Sequence, residues 1–144
     1  MTTILRTLII TMLLLLSAPL AFGQAAQKTL VKSFAVAEGQ SIALDVEHPV
    51  EVKTWNNDLM RVQITIQLQN GNEAILKSLI SVGRYNFVAQ RKGANMTITA
   101  PNLDREVKIG GEPLLDAVSI VVFVPDNTQI KTNRTSNATP GTSF

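Results

Sequence analysis

The chain contains no cysteine, and only one histidine, one tryptophan and one tyrosine among its 144 residues. Without thiols there is no disulfide, no cysteine nucleophile and no cysteine-ligated zinc, so the fold must rest on its hydrophobic core. An excess of charge of one sign is also lacking, because 13 Lys and Arg stand against 11 Asp and Glu. This balance provides no electrostatic basis for binding nucleic acid.

Recognisable catalytic motifs are missing as well. No serine lies in a Gly-x-Ser-x-Gly elbow, and the glycines form neither a phosphate loop nor a dinucleotide fingerprint. His48 lies near Asp45, Glu47 and Glu51, but one histidine beside dispersed acids is typical of a solvated turn rather than of a metal or acid–base site. We therefore expect no catalytic residue, no metal and no cofactor, and predict that the protein is not an enzyme.

The longest apolar segment lies at the N terminus. A short positive stretch ending at Arg6 is followed by uncharged, apolar residues 7–16 and by the small-residue cleavage site at residues 21–23. This order predicts a secretory signal peptide over residues 1–23. An uncleaved membrane anchor is the alternative, but it needs about 20 apolar residues. We expect export to the periplasm or the cell surface, with no lipid anchor because the chain has no cysteine to acylate.

Alternation of apolar and polar residues dominates residues 30–131. The clearest case is residues 60–69, where every second side chain is apolar, and shorter examples occupy residues 41–47, 50–55 and 95–100. Turn-forming residues separate these segments at intervals of about ten residues, which is the spacing of an antiparallel sandwich or a β-roll. The pattern predicts an all-β domain, either an antiparallel β-sandwich or a short β-roll.

One segment departs from this alternation. Residues 72–82 begin with the capping residue Asn72, carry apolar side chains at helical spacing, and are followed by Gly83. These features predict one helix that covers an end of the sheets. We expect the chain to return to a strand over residues 85–91.

The last strong strand, residues 116–124, is apolar on both faces. Val118, Ile120, Val122 and Val124 form one row, and Val121 and Phe123 lie in the other. Such a strand is either central and covered on both faces, which is the preferred interpretation, or part of a surface that needs a partner. Residues 132–144 are polar and are expected to form a disordered tail.

Five residues are candidates for a ligand or interface site. Trp55 precedes an Asn-Asn-Asp turn and could stack on a sugar, although packing over the rim of the core is the preferred interpretation. Gln63, Thr65 and Gln67 form a polar, largely uncharged strand face that tolerates close approach by another sheet or a glycan. Tyr85, like Trp55, could stand at the mouth of a pocket between the helix and the sheet.

The order of these elements resembles the head GIN-type β-repeat proteins, a family of secreted, adhesin-like bacterial proteins. The resemblance covers about residues 30–131 and is carried by the strand that ends at Trp55 and by the late strand that ends in Val-Pro at Pro125. His48-Pro49 stands where the family usually has Asn-Gly, and the stacked Asn-Gly-Val rungs are missing. The resemblance therefore implies an exported, β-rich, short member and supplies no catalytic residue.

Together these features predict an exported, non-catalytic β-domain that acts as an envelope or cell-surface interaction module. Its expected partner is an envelope protein or a glycan, reached through a sheet face or an exposed edge. The alternative is a periplasmic domain that binds a small glycan or lipid in a pocket. We expect no nucleic-acid partner and no stable membrane span after the signal peptide is cleaved.

Overall fold

The computed structural model describes residues 25–133, which form ten strands and one helix. The predicted signal peptide and residues 134–144 lie outside the described residues. Thr132, expected in the polar tail, is the last residue of the final strand. The elements are β1 (Gln27–Ala35), β2 (Ser41–Asp45), β3 (Val50–Trp55), β4 (Leu59–Leu68), α1 (Glu73–Ser81), β5 (Val88–Lys92), β6 (Asn95–Thr99), β7 (Lys108–Ile109), β8 (Glu112–Pro113), β9 (Asp116–Pro125) and β10 (Gln129–Thr132).

Eight of the strands form two four-stranded sheets. Sheet A has the order β1-β4-β9-β3, sheet B has the order β10-β2-β6-β5, and β7 and β8 form a separate small hairpin. The predicted all-β sandwich with one helix is confirmed.

The strand pairings within these sheets are mixed. β1–β4, β4–β9 and β5–β6 are antiparallel, whereas β3–β9, β2–β6 and β10–β2 are parallel. The expectation of purely antiparallel sheets is therefore corrected in this respect. Alternation shows which side chains share a face, and it looks the same whichever way the neighbouring strand runs.

The core lies between the inner faces of the two sheets. In β4 every second side chain from Met60 to Leu68 is at most 2% exposed, as the alternation predicts. These residues belong to one buried cluster with the inner rows of β9, β2 and β6. Each fully buried side chain of this kind contributes about 1.5–3 kcal/mol. The fully buried members include Ile42, Leu44, Val62, Ile64, Ile66, Met96, Ile98, Val122 and Val124.

The helix α1 matches the predicted segment closely. The side chain of Asn72 caps its first turn by accepting a hydrogen bond from a backbone N–H at 2.9 Å. Gly83, at φ +78°, ends it, and the N–H of Arg84 donates to the carbonyl of Leu79 at 3.1 Å. The buried side of the helix carries Leu76 and Leu79. Between residues 25 and 133 no helix has the length and apolar character needed to cross a bilayer.

The chain leaves the helix through a turn rather than directly into a strand. The expected strand over residues 85–91 is shorter in the structure, since β5 begins at Val88. Tyr85 and Phe87 are instead anchored in the core, with 2% and 1% of their surfaces exposed. Two buried aromatic side chains in three residues hold this segment against the sheets.

One open side of the sandwich, between β1 and β5, is covered by two long basic side chains. Nζ of Lys32 in β1 donates to the carbonyl of Phe87 at 2.7 Å, and Nη2 of Arg91 in β5 donates to the carbonyl of Ala35 at 2.8 Å. Charged side chains placed in this way protect an edge strand from pairing with another chain. The β1 edge is therefore a poor docking site.

Candidate functional site

Four of the five candidate residues lie on one surface, the outer face of sheet A. Trp55, Gln63, Thr65 and Gln67 all occupy the strand positions that alternate with buried ones, so they point away from the core. The strand registers define this surface. It consists of Gln27, Thr29, Val31, Ser33 and Ala35 of β1, Leu59, Arg61, Gln63, Thr65 and Gln67 of β4, Ala117, Ser119, Val121, Phe123 and Pro125 of β9, and Glu51, Lys53 and Trp55 of β3.

The centre of the outer face of sheet A is polar and uncharged. Gln63, Thr65 and Gln67 follow one another at every second position of β4 and span about 14 Å. The hydroxyl of Thr65 is hydrogen-bonded to that of Thr29 on β1 at 3.0 Å, and Ser119 of β9 lies opposite on the other side. This row supplies amide and hydroxyl groups with no net charge.

One corner of this face is aromatic and basic. The ring centroids of Trp55 and Phe123 are 5.5 Å apart, with the planes inclined at 41°. The guanidinium carbon of Arg61 lies 4.6 Å from the centroid of Trp55, and Nζ of Lys53 lies 6.0 Å from the centroid of Phe123. We call these four residues the aromatic corner. The structure thus places Trp55 on the outer face and not over the rim of the core, the position expected from the sequence.

The loop between β3 and β4 fixes the indole of Trp55. The indole N–H donates to the carbonyl of Leu59 at 2.8 Å, and the N–H of Leu59 donates to the side chain of Asn57 at 3.0 Å. Because β3 and β4 flank β9 in sheet A, side chains from both strands meet over Phe123. The ring positions are therefore set by hydrogen bonds and strand register before any partner binds.

Arg61 is incompletely satisfied in this corner. Only Glu51, Lys53 and Arg61 carry charge on the outer face of sheet A, and Lys53 lies 3.3 Å from Glu51. Arg61 forms no ion pair within residues 25–133. Its Nε is the only buried side-chain nitrogen or oxygen in that range without a hydrogen-bond partner. A cation with an unused donor thus lies against an aromatic ring.

Sequence reasoning missed the partners of Trp55, although a signal for one was present. β9 is central in its sheet, as expected, but it is not covered on both faces, because Val121 and Phe123 remain partly exposed. The second apolar row of β9, which contains Val121 and Phe123, was therefore the sequence signal for an apolar patch on the outer face. Arg61 had no such signal, since a basic residue in the polar row of β4 looks like an ordinary solvated side chain.

Tyr85, the fifth candidate, is buried in a polar network. Its hydroxyl donates to Oδ2 of Asp116 at 2.9 Å, and Nε of Arg84 donates to the same oxygen at 3.1 Å. Nη1 of Arg84 also donates to the carbonyl of Arg105 at 2.8 Å. The arrangement ties the turn after α1 to the first residue of β9. These contacts give Tyr85 a role in stability.

Burial, reinforced by the hydrogen bond to Asp116, raises the pKa of Tyr85 above its ordinary value. As the pH rises, the phenol of Tyr85 therefore loses its proton in the unfolded chain before it does so in the folded protein. Its contribution to the free energy of unfolding is complete below about pH 10. Above that pH the free energy of unfolding falls by about 1.4 kcal/mol per pH unit. Urea unfolding between pH 8 and 11.5 should show this decline. The Tyr85→Phe variant should show a shallower one, and equal slopes for the two proteins would contradict the assignment.

A small apolar groove lies between α1 and sheet A. Its volume is about 230 Å³, and its walls include Leu30, Ile64, Ile80 and Tyr85. A groove therefore lies where a pocket between the helix and the sheet was expected. Tyr85 forms part of its wall, as expected, but Trp55 does not line it. The groove is smaller than the ~300–1,000 Å³ of most ligand pockets.

His48 is engaged with a distant acid. Its Nε2 lies 2.8 Å from Oδ1 of Asp104, and both side chains are partly exposed. An exposed pair of this kind contributes about 0–1 kcal/mol. In the part of the chain that the structure describes, no three His, Asp and Glu side chains are grouped to hold a metal ion.

Comparison with known proteins gives no match, since no protein-family model, curated protein or solved structure is significantly similar to this chain. Function is therefore inferred from the outer face of sheet A itself.

Proposed function

We propose that the protein is an exported, non-catalytic module of the cell envelope that binds another macromolecule through the outer face of sheet A. The observation that carries this proposal is the aromatic corner. Trp55 and Phe123 are held together on the exposed outer face of sheet A, on the side of the sheet that faces away from the core. Aromatic side chains fixed in this way are typical of binding hot spots.

The edge between β1 and β5 and the outer face of sheet B offer weaker binding surfaces. Side chains from β1 and β5 cover one edge of the sandwich. The outer face of sheet B carries no aromatic residue, and its central strand β6 presents only Asn95, Thr97 and Thr99 outward. The outer face of sheet A therefore combines apolar area with a polar row in a way that no other sheet face in residues 25–133 does.

Export is part of the proposal and is supported by the sequence of residues 1–23, which has the order of a secretory signal peptide. The resemblance to secreted adhesin-like proteins supports a role at the envelope. A non-catalytic role is supported by the sequence, which has no cysteine, a single histidine and no serine in a Gly-x-Ser-x-Gly elbow.

A matched pair of substitutions tests this proposal. Thr65 and Thr97 are half-buried threonines in central strands, one on the outer face of sheet A and the other on that of sheet B. Thr65→Glu should weaken co-sedimentation of the mature protein with an envelope fraction by about tenfold, because a charge must be desolvated in the interface. Thr97→Glu should change it less than about twofold.

Trp55→Ala provides an independent test. It should weaken co-sedimentation with the envelope fraction by at least about tenfold. Circular dichroism and thermal unfolding verify that each variant is folded. If Thr65→Glu and Trp55→Ala both bind like the unmodified protein, the outer face of sheet A is not the binding surface. The proposal also fails if the folded protein does not associate with envelope material at all.

The apolar groove favours a second candidate function, the binding of a small lipid. Its lining would suit a short acyl chain, and Lys32, whose Nζ also donates to the carbonyl of Phe87, stands at its wall as a cation for the head group. Dodecanoate should then raise the Tm of the protein, and Ile80→Phe should abolish the rise by filling the groove. Trp55→Ala would leave this effect unchanged, so the two functions give distinct results.

A further inference from the structure

We propose that the aromatic corner binds a carboxylate-bearing sugar unit of an acidic polysaccharide, an assignment that rests on the proposed function of the outer face of sheet A. The assignment starts from Arg61. Its guanidinium carbon lies 4.6 Å from the centroid of Trp55, and the half-buried side chain forms no ion pair in the described residues. A planar guanidinium presents paired donors that match a carboxylate.

The charge on the strands of this surface favours an anion at Arg61, with which the loop carboxylates of Asp58 and Asp126 form no ion pair. Glu51 is the only acidic side chain on the outer face of sheet A, and Lys53 lies 3.3 Å from it. The positive charge of Arg61 is therefore not balanced by any ion pair in the described residues. Because stacking on Trp55 already removes water from one side of the guanidinium, pairing with a carboxylate requires less further desolvation than for a fully hydrated arginine.

The neighbouring residues favour a sugar over an acidic peptide. Gln63 follows Arg61 in the outward row of β4, and Thr65 and Gln67 continue it with amides and a hydroxyl for about 14 Å. Such groups match the hydroxyls of successive sugar units, which an acidic peptide does not offer. Trp55 and Phe123 are both partly exposed and add apolar area beside the guanidinium.

Titration with two forms of one polymer tests this inference. The probes are polygalacturonate oligomers and the same oligomers with their carboxylates methyl-esterified. Trp55 is the only tryptophan, so its fluorescence reports directly on the aromatic corner. The acidic oligomer should produce a saturable change that weakens with added salt, and the ester should bind at least about tenfold more weakly.

Variants that each remove or replace one positive charge distinguish binding at the aromatic corner from nonspecific electrostatic attraction to the whole protein. Arg61→Gln should lose at least about tenfold in affinity for the acidic oligomer, and Arg61→Lys, which keeps the charge but not the planar donors, should recover only part of it. Lys131→Gln removes one positive charge from the outer face of sheet B. Its affinity should remain within about twofold of the unmodified protein.

Equal binding of acid and ester, unchanged affinity in Arg61→Gln, or an equal loss in Lys131→Gln would each overturn this inference. Envelope binding that depends on Thr65 and Trp55 without any response to the acidic oligomer would also overturn it, and would leave the proposed function standing with a protein or another glycan as partner. Loss of the envelope binding itself would instead remove the proposed function.

Discussion

Asp116→Ala is expected to lower the free energy of unfolding by about 3–5 kcal/mol. Asp116 accepts hydrogen bonds from Arg84 and Tyr85, and the side chains of Asp116 and Arg84 are 12% and 8% exposed. Removing the carboxylate leaves the guanidinium as a buried charge without its counterion and the phenol without its acceptor. Urea unfolding monitored by circular dichroism measures the loss.

Two further variants test whether the loss of stability arises because the ion pair between Arg84 and Asp116 is buried. Glu106→Ala breaks an ion pair with Lys108 whose side chains are 77% and 60% exposed, so it should cost less than about 1 kcal/mol. The double variant Arg84→Met/Asp116→Leu removes both charges together and should be more stable than Asp116→Ala alone. A loss below about 1 kcal/mol in Asp116→Ala would contradict the buried network.

The sequence contained more information about this network than a search for motifs extracts. Asp116 stands two residues before Val118, in the same row of β9 as the buried Ile120 and Val122. Alternation alone therefore points its carboxylate inward. Its partner Arg84 had no comparable signal, because it lies in a turn and reaches Asp116 only when α1 is docked against the sheets.

The layers of the fold were predictable because alternation is a local property. The inward row of β4, the helix bounded by Asn72 and Gly83, and the polar row containing Gln63 and Thr65 all follow from spacing within one segment. The parallel pairing of β3 with β9 depends on residues about 70 positions apart in the chain. No local pattern fixes such a pairing.

The same limit applies to the candidate site. Trp55 could be singled out as an aromatic residue at a strand end, but its contacts with Phe123 and Arg61 come from two other strands. They meet only because β3 and β4 lie on either side of β9. Individual residues of the site could therefore be predicted from the sequence, but the contacts that bring them together in the aromatic corner could not.

Phe87→Ala is expected to lower the free energy of unfolding by about 3–5 kcal/mol. Phe87 is 1% exposed and is the largest of the fully buried side chains. It follows α1 and fills space against the sheets, while its carbonyl accepts the hydrogen bond from Lys32. Because the surrounding strands are held by their own pairing, the cavity cannot collapse, and the lost contacts are not replaced. Equilibrium unfolding in urea checks this value.

The matched control is Phe123→Ala, which removes the same type of side chain from the outer face of sheet A instead of from the core. Phe123 is only partly buried and lies against Trp55 and Lys53 on the outer face of sheet A. Its loss should cost about 1 kcal/mol of stability, yet it should weaken binding to the acidic oligomer and to envelope material. The two phenylalanines would then separate the role of the inner face, which holds the fold, from that of the outer face, which serves recognition. Comparable destabilisation by both substitutions would mean that Phe123 is a core residue, and the aromatic corner would lose its claim to be a binding surface.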